Sequence, residues 1–213
     1  MGTGEGGQTN PFNEYGRSKL AAEAVYREWQ AERPEQRSLV ILRPTVVFGE
    51  RNRGNVYNLL RQVASNRFVM VGGGTNRKSI AYVENVAAAI EHCMGFGPGI
   101  YVYNYVDKPD FSMNELVGEV RRMLRRPATG KIRLPYWFGY SIGGLLDCVA
   151  RLSGRKFPVS AVRVKKFCSD TVFDSSIGDT GFRAPVPITA ALQRTITSEF
   201  LEGRGDDGVF HTE

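Results

Sequence analysis

A tyrosine and a lysine four residues apart, Tyr15 and Lys19, have the side-chain types and spacing in this sequence that best suit catalysis. They lie in NEYGRSKLAAEA, whose residues favour a helix from Asn13 to about Glu32. On a helix, residues at this spacing share one face, so the hydroxyl and the ammonium group can address one small molecule. Because a nearby cation favours the phenolate, the tyrosine could exchange a proton with an alcohol while hydride passes between the alcohol carbon and a nicotinamide. The spacing alone also fits a solvated helix face.

The segments after this helix alternate between predicted strands and helices. SLVILRPTVVFGE (38–50) and GIYVYNYV (99–106) are apolar and rich in β-branched and aromatic residues, which is typical of strands buried on both faces of a parallel sheet. In FSMNELVGEVRRMLRR, Ser112 and Glu115 form a predicted capping box at a helix start. Shorter segments predict helices at 55–65 and 84–94 and strands at 67–71 and 79–83. The alternation indicates an α/β fold, although two long strands are too few for a usual sheet.

The charge of the chain favours an anionic partner. Its 28 basic and 22 acidic side chains give a net charge of +6, which suits phosphate, nucleic acid or a membrane surface. The basic cluster RRMLRR fits a solvated helix face and no recognition motif accompanies it, so no nucleic-acid partner is predicted.

The cysteines and the N-terminal residues indicate the class of protein. Cys93, Cys148 and Cys168 show no CxxC or Cys/His spacing, so we predict neither a disulfide framework nor a metal site. The sequence MGTGEGGQTN is polar and rich in glycine, unlike a secretory signal, and a cytoplasmic location is therefore expected. We interpret GTGEGG as a flexible loop, because no predicted strand precedes it.

An apolar stretch lies in the second half of the chain. The sequence from Leu134 to Leu146 carries no charge, but it is shorter than the ~20 apolar residues that a bilayer span needs. We therefore predict no membrane span. A buried helix and a helix lying at a membrane interface, with Tyr136 and Trp137 among the headgroups, both stay open, so peripheral membrane contact is one alternative.

Four segments together resemble the extended short-chain dehydrogenase/reductase family, and in particular its NAD-dependent nucleotide-sugar epimerases and dehydratases. PFNEYGRSKLAAE resembles the active-site helix of that family, P-x-x-x-YGxSKxxAE, and LVILRPTVVFGE resembles the strand that follows it. GGGTNRKSIAYVENVAAAI is similar to G-x-G-x-x-x-x-x-x-YVxDVAxAI, and TGFRAPVPITAALQRTI to LGWxPxxxLxEGLxxT. The matches follow the family order from residue 10 to about residue 200, which is nearly the whole chain.

The resemblance implies roles for the residues of the cofactor site. Tyr15 would be the catalytic acid/base, and Lys19 would hold the nicotinamide ribose hydroxyls and favour the phenolate form of the tyrosine. The backbone at Pro44 and Thr45 would face the nicotinamide. The implied cofactor is NAD, and NADP stays open.

The resemblance also implies a nucleotide-sugar substrate, with a UDP-sugar favoured. Asn55 falls where the family has a side chain or helix start near the sugar pyrophosphate. Lys78, with Arg77 beside it, falls where the family often has a phosphate-binding arginine. Val46 stands where many members have a substrate-contacting asparagine, so the sugar stays open. The implied reaction oxidises a sugar hydroxyl by hydride transfer to NAD, and the complete enzyme is expected to be a homo-oligomer.

The fold implied by the resemblance is the C-terminal part of a Rossmann-like parallel sheet plus a smaller mixed substrate-binding lobe. We predict that residues 1–126 are a partial Rossmann-like domain that carries the Tyr15/Lys19 helix and interleaved substrate-binding segments. Residues 127–213 are predicted to be a mostly helical lobe with a C-terminal tail. In the family, a glycine-rich cofactor loop and a catalytic serine or threonine precede this region, so the chain is expected to be a fragment that is inactive alone.

Two other interpretations stay open. The chain could belong to a reductase or dehydrogenase of the same family that acts on a non-sugar alcohol such as a sterol, which the apolar stretch from Tyr136 would suit. It could also be a non-catalytic fragment that binds a partner chain.

Overall fold

The computed structural model describes residues 2–11, 13–126, 132–154 and 160–202. Its elements in chain order are α1 (Glu14–Ala31), β1 (Ser38–Pro44), β2 (Val46–Phe48), α2 (Asn55–Ala64), β3 (Met70–Val71), β4 (Arg77–Tyr82), α3 (Val83–Cys93), β5 (Gly99–Tyr105), β6 (Asp107–Ser112), α4 (Met113–Met123), β7 (Arg133–Leu134), α5 (Tyr136–Ser153), α6 (Ala161–Cys168) and α7 (Ile188–Ile196). A short 3-10 helix covers Ile177–Thr180, and a π-helical turn covers Thr197–Leu201. Helices combined with parallel strand pairs confirm the predicted α/β class.

The chain divides into two compact units whose segments interleave along the sequence. The first unit contains residues 1–48, 79–108 and 172–188. The second contains residues 49–78, 109–171 and 189–213. The domain boundary predicted after residue 126 stays a prediction.

The first unit is built on the parallel pair of β1 and β5. Their register runs from Ser38 opposite Gly99 to Pro44 opposite Tyr105, so the two strands end side by side. Helix α1 packs against both strands. Both faces of β1 are covered, as predicted, but unequally: Leu39 and Ile41 are buried, whereas Val40 and Leu42 are partly buried against the core cluster of this unit.

A shorter sheet accompanies this pair, with the strand order β2-β4-β6. Val46 to Phe48 pair in parallel with Ile80 to Tyr82. Strand β6 was not predicted, since Pro109 lies within it and proline disfavours a strand interior. The buried cluster of this unit consists of Ala81, Ala89, Cys93, Tyr105, Ile177 and Phe182.

Two helix starts show the local interactions that the sequence predicts. Helix α1 begins after Asn13, whose side-chain oxygen accepts a hydrogen bond from the Gly16 N–H at 2.8 Å. Helix α4 begins with the predicted capping box, in which Ser112 Oγ accepts from the Glu115 N–H and the Glu115 carboxylate accepts from the Ser112 N–H. In both cases the side chain satisfies an N–H group that the first turn leaves without a helical partner.

The second unit is mostly helical. Helix α2 packs on α4, and the apolar side chains buried on these two helices include Leu60, Val63, Leu116 and Val120. Helix α5 packs on α6, and β3 and β7 form a short parallel pair. Nowhere in the described part of the chain does a helix combine the length and the apolarity that crossing a membrane requires.

Candidate active site

Tyr15 and Lys19 come together on the exposed side of α1. The Tyr15 side chain is 70% exposed in the first turn of the helix. The Lys19 ammonium nitrogen lies over the aromatic ring, 5.4 Å from the ring centroid. The four-residue spacing therefore places a cation against the phenol, as the sequence predicts for this pair.

A two-point ion pair joins α1 to β1. Glu23 follows Lys19 by four residues and lies about 80° around the helix from Tyr15. Arg43 Nε donates to Glu23 Oε1 at 2.7 Å, and Arg43 Nη2 donates to Glu23 Oε2. The hydrogen bonds from Arg43 to Glu23 raise the pKa of the guanidinium, although burial opposes them. This contact fixes the helix face against the last residues of β1, next to Pro44.

Thr45 follows the end of β1 and carries a polar atom that lacks a partner. Its N–H donates to the Tyr105 carbonyl at 3.0 Å, which continues the pairing with β5. Its hydroxyl Oγ1 is buried, and no hydrogen-bond partner for it exists among the described residues. A buried hydroxyl without a partner is costly, which makes this atom a candidate contact for a ligand group. Pro44, one residue earlier, is exposed.

A buried carboxylate organises the backbone beyond the end of β5. Asp107 accepts hydrogen bonds from the Tyr82 N–H at 2.7 Å, from Asn85 Nδ2 at 3.0 Å and from the Tyr105 hydroxyl at 3.0 Å. Burial raises the pKa of Asp107, although the three donors lower it. Burial and the adjacent Asp107 also raise the pKa of the Tyr105 hydroxyl, which keeps it protonated as a donor. These hydrogen bonds connect β4 and α3 to Tyr105, whose backbone carbonyl accepts the hydrogen bond from the Thr45 N–H.

The N-terminal segment predicted to be a flexible loop makes specific contacts. The Thr3 N–H donates to the Val172 carbonyl at 3.0 Å. Glu5 Oε1 accepts from the Ser176 N–H at 2.8 Å and from the Asn104 N–H at 3.1 Å. Burial raises the pKa of Glu5, but these backbone donors outweigh it, and the net pKa is lowered. Glu5 thereby bonds to β5 and to the residues before the 3-10 helix.

The three residues predicted to bind the substrate belong to the second unit. Asn55 is exposed at the first position of α2. The Arg77 guanidinium donates to the Asp110 carbonyl at 2.6 Å. Tyr15, Lys19, Pro44 and Thr45 belong to the first unit.

The Lys78 side chain forms hydrogen bonds with other residues of the chain. Its ammonium donates to the Lys166 carbonyl at 2.8 Å, the Ser169 carbonyl at 2.6 Å and the Thr171 hydroxyl at 3.2 Å. Burial lowers its pKa, and Asp170 opposes the shift. Because an ammonium group has three N–H donors, a phosphate would have to replace one of these acceptors. The predicted phosphate contact of Lys78 stays a prediction.

Glu23, Arg43 and Glu5 were not predicted from the sequence. The signal for Glu23 is its position in the repeat of Tyr15 and Lys19 at four-residue intervals. Arg43 directly precedes Pro44 within an otherwise apolar strand, where an unpaired charge is costly and a partner is expected. No comparable signal marks Glu5. Among the described residues, no group of three or more His, Cys, Asp or Glu side chains could hold a metal ion.

Residues 3–104 match the family described as the NAD dependent epimerase/dehydratase family. N-acetyl-alpha-D-glucosaminyl-diphospho-ditrans,octacis-undecaprenol 4-epimerase of Escherichia coli O157:H7 is 49% identical over 206 residues, which are 96% of this chain and 62% of that protein. UDP-glucose 4-epimerase of Vibrio cholerae is 30% identical over 154 residues, which are 68% of this chain and 44% of that protein.

The solved structures agree on the fold. UDP-glucuronic acid 4-epimerase from Bacillus cereus, in complex with NAD, superimposes with a TM-score of 0.62 at 16% identity, over 91% of this chain and 57% of that structure. The chain therefore spans about 62% of the E. coli relative and less of the other two. The predicted resemblance is confirmed: by its matched region and its fold, this chain belongs to the NAD-dependent epimerase/dehydratase family.

Proposed function

We propose that this chain supplies the Tyr15/Lys19 pair of an NAD-dependent 4-epimerase that acts on a sugar attached to a diphosphate. One observation carries the proposal. The pair is exposed on a helix face that the Glu23–Arg43 ion pair joins to the end of β1, where the Thr45 hydroxyl lacks a partner among the described residues.

The relatives support two substrates that share this chemistry. The name of the E. coli relative specifies N-acetylglucosamine on undecaprenyl diphosphate, and its 49% identity makes a polyprenyl-linked sugar diphosphate the first candidate. The Vibrio relative is named for UDP-glucose, which supports a UDP-sugar, the substrate class favoured by the sequence analysis, as the second. Both present a diphosphate, for which Asn55, Arg77 and Lys78 remain the proposed contacts.

The residues at the end of β1 fit a nicotinamide cofactor. The Lys19 ammonium offers donors to ribose hydroxyls, and the buried Thr45 hydroxyl offers a hydrogen bond to a ligand amide. Pro44 and Thr45 would contact the nicotinamide through their backbone. When bound, NAD would supply the acceptor for the hydride. NAD is chosen over NADP because the B. cereus epimerase is described with NAD.

Tyr15 performs the proton transfer in this proposal. Its hydroxyl oxygen takes the proton from the sugar hydroxyl as the carbon is oxidised, and it returns a proton when the carbon is reduced from the opposite face. Lys19 stabilises the negative charge that the tyrosine oxygen carries before it takes this proton and again after it returns one. The ion pair of Glu23 and Arg43 joins the helix that carries both residues to β1.

Substitution of the tyrosine tests the proposal. In the full-length protein, Tyr15→Phe should lower kcat by about 10² to 10⁴, the usual effect of losing a general acid/base. Tyr26→Phe is the matched control, because Tyr26 is an exposed tyrosine on the same helix and should tolerate the change. Epimerisation is measured by chromatography with N-acetylglucosamine on polyprenyl diphosphate and with its UDP form. An unchanged kcat for Tyr15→Phe would refute the acid/base role, and the preferred substrate distinguishes the two candidates.

A further inference from the structure

Helix α5 turns its smallest residues inward. Gly139 and Gly143 are its buried residues. A Cβ atom on Gly143 would lie 2.6 Å from the backbone nitrogen of Ala161, and one on Gly139 would lie 2.7 Å from Val71 Cγ1. Glycine alone permits such a close approach. The contact between α5 and the rest of the second unit therefore uses backbone and small groups rather than large apolar side chains.

The large apolar side chains of α5 point away from that contact. Trp137 is 67% exposed, Leu145 is 67% exposed and Leu152 is 87% exposed. Their spacing of eight and seven residues puts them on one side of a helix about 27 Å long. Phe138 and Val149 lie beside them and are also exposed, and we call these five residues the outward face of α5. Single exposed apolar residues are common, but a continuous apolar face marks an interaction surface.

The charges of α5 and α6 have one predominant sign. Asp147 is the one acidic residue of α5, and its Oδ2 accepts a hydrogen bond from the Ala161 N–H at 3.0 Å. The carboxylate therefore lies against α6 and away from the outward face. Helix α6 contains no acidic residue. The basic residues of the two helices are Arg151, Arg163, Lys165 and Lys166.

The N-terminal turn of α5 carries aromatic side chains with polar tips. Tyr136, Trp137 and Tyr140 are exposed there. Such side chains concentrate where a membrane meets water, because the ring prefers the apolar side and the polar tip prefers the headgroups. Next to them is a pocket of about 340 Å³. It is lined by Gly72, Gly73, Tyr136, Lys165, Cys168 and Ser169. Lys165 could pair there with a lipid phosphate.

We propose that α5 lies on the surface of an anionic lipid bilayer. Its outward face enters the boundary between headgroups and acyl chains, and Arg151 of α5 and Lys165, which lines the pocket beside Tyr136, contact lipid phosphates. An apolar face combined with aromatic and basic residues is the composition of helices that lie in a membrane interface. A second copy of this chain fits less well, since a symmetric contact through this face would bring like charges together. The proposal is independent of the function proposed above, because lipid binding requires no catalysis.

Vesicle binding of the 213-residue chain tests the proposal. The chain should co-sediment with vesicles of phosphatidylcholine and phosphatidylglycerol more than with phosphatidylcholine alone, and added salt should weaken binding. Replacing Leu145 and Leu152 by Gln should lower the partition coefficient at least about tenfold. Met94→Gln is the matched control, because Met94 is an exposed apolar residue of the first unit and should leave binding unchanged. Replacing Arg151 and Lys165 by Gln should lower binding to the anionic vesicles by roughly fivefold for each charge.

Tryptophan fluorescence locates the contact. The chain has two tryptophans, so Trp29→Phe leaves Trp137 as the one emitter. Its emission should shift to shorter wavelength with anionic vesicles, and brominated lipid should quench it. Equal binding by the Leu145/Leu152 double variant and Met94→Gln would overturn the proposal. The proposal would also be overturned if the parent does not bind vesicles but is a dimer that the leucine substitutions convert to a monomer. That result would mean that a second copy of this chain covers the outward face. Circular dichroism checks that each variant is folded.

Discussion

Glu23 and Arg43 form a two-point ion pair between β1 and α1, the helix that carries Tyr15 and Lys19. Their side chains are 18% and 26% exposed, and two hydrogen bonds join them across 20 residues of sequence. A bidentate pair constrains both distance and orientation, which a single hydrogen bond does not. The helix face that carries the proposed acid/base is therefore fixed relative to the end of β1.

Glu23→Gln should loosen this contact. The variant keeps the size of the side chain but loses its charge, so we expect the free energy of unfolding to fall by about 1 to 2 kcal/mol. In the full-length protein, kcat should fall more than KM rises, because the helix face loses its position. Glu28→Gln is the control, since Glu28 is exposed on the same helix. Urea denaturation and steady-state kinetics are the measurements. Identical stability of the two variants would show that the ion pair does not fix α1.

Lys19→Ala should weaken NAD binding in the full-length protein. Loss of one charge-assisted hydrogen bond to the ribose corresponds to about 1.5 to 3 kcal/mol, or a roughly 10- to 150-fold higher Kd. Arg33→Ala serves as the control, because Arg33 is exposed just beyond α1. Isothermal titration with NAD gives both values. If Lys19→Ala binds NAD as tightly as Arg33→Ala does, Lys19 does not contact the cofactor.

Lys78→Ala separates two roles of the same ammonium group. Because Lys78 donates to three acceptors in residues 166–171, its loss should lower the free energy of unfolding by about 1.5 to 3 kcal/mol. If it also contacts the diphosphate, affinity for the sugar diphosphate should fall by roughly 10- to 150-fold while affinity for NAD stays unchanged. Arg67→Ala, an exposed cation of the same unit, is the control. If Lys78→Ala is less stable but binds the substrate as tightly as the parent does, Lys78 stabilises the fold and does not contact the substrate.

Asp107 should make stability depend on pH. Burial raises its pKa above the ordinary value of about 3.9, so the native state binds its proton more tightly than the unfolded chain does. Its contribution to stability is complete below the ordinary pKa and is lost as the pH rises through the raised pKa. Asp107→Asn removes this titration.

The measurement for Asp107 is the difference in free energy of unfolding between the parent and Asp107→Asn, followed by urea denaturation from pH 4 upward. The parent's advantage should be largest at the acidic end and should shrink as the pH increases. Taking a difference cancels the carboxylates that both proteins share. An advantage that grows with pH would mean that the three hydrogen-bond donors of Asp107 outweigh its burial.

Short-range features of this protein follow from its sequence. Asn13 starts α1, Ser112 and Glu115 form their capping box, and Tyr15 meets Lys19 because all these contacts join residues no more than four positions apart. A helix fixes such contacts through its own dihedral angles, without help from the rest of the chain. The motifs around them were likewise sufficient to predict the family.

Tertiary structure decided which side chains face which partners. The sequence predicts that the Lys78 ammonium can bind a phosphate. In the structure this ammonium donates hydrogen bonds to residues that lie 88 to 93 positions later in the chain. Helix α5 is apolar around most of its circumference, so periodicity could not show that Gly143 would pack on Ala161 and that Leu152 would face outward. These contacts depend on how distant segments pack after loops close, and the pattern along a single element does not contain that information.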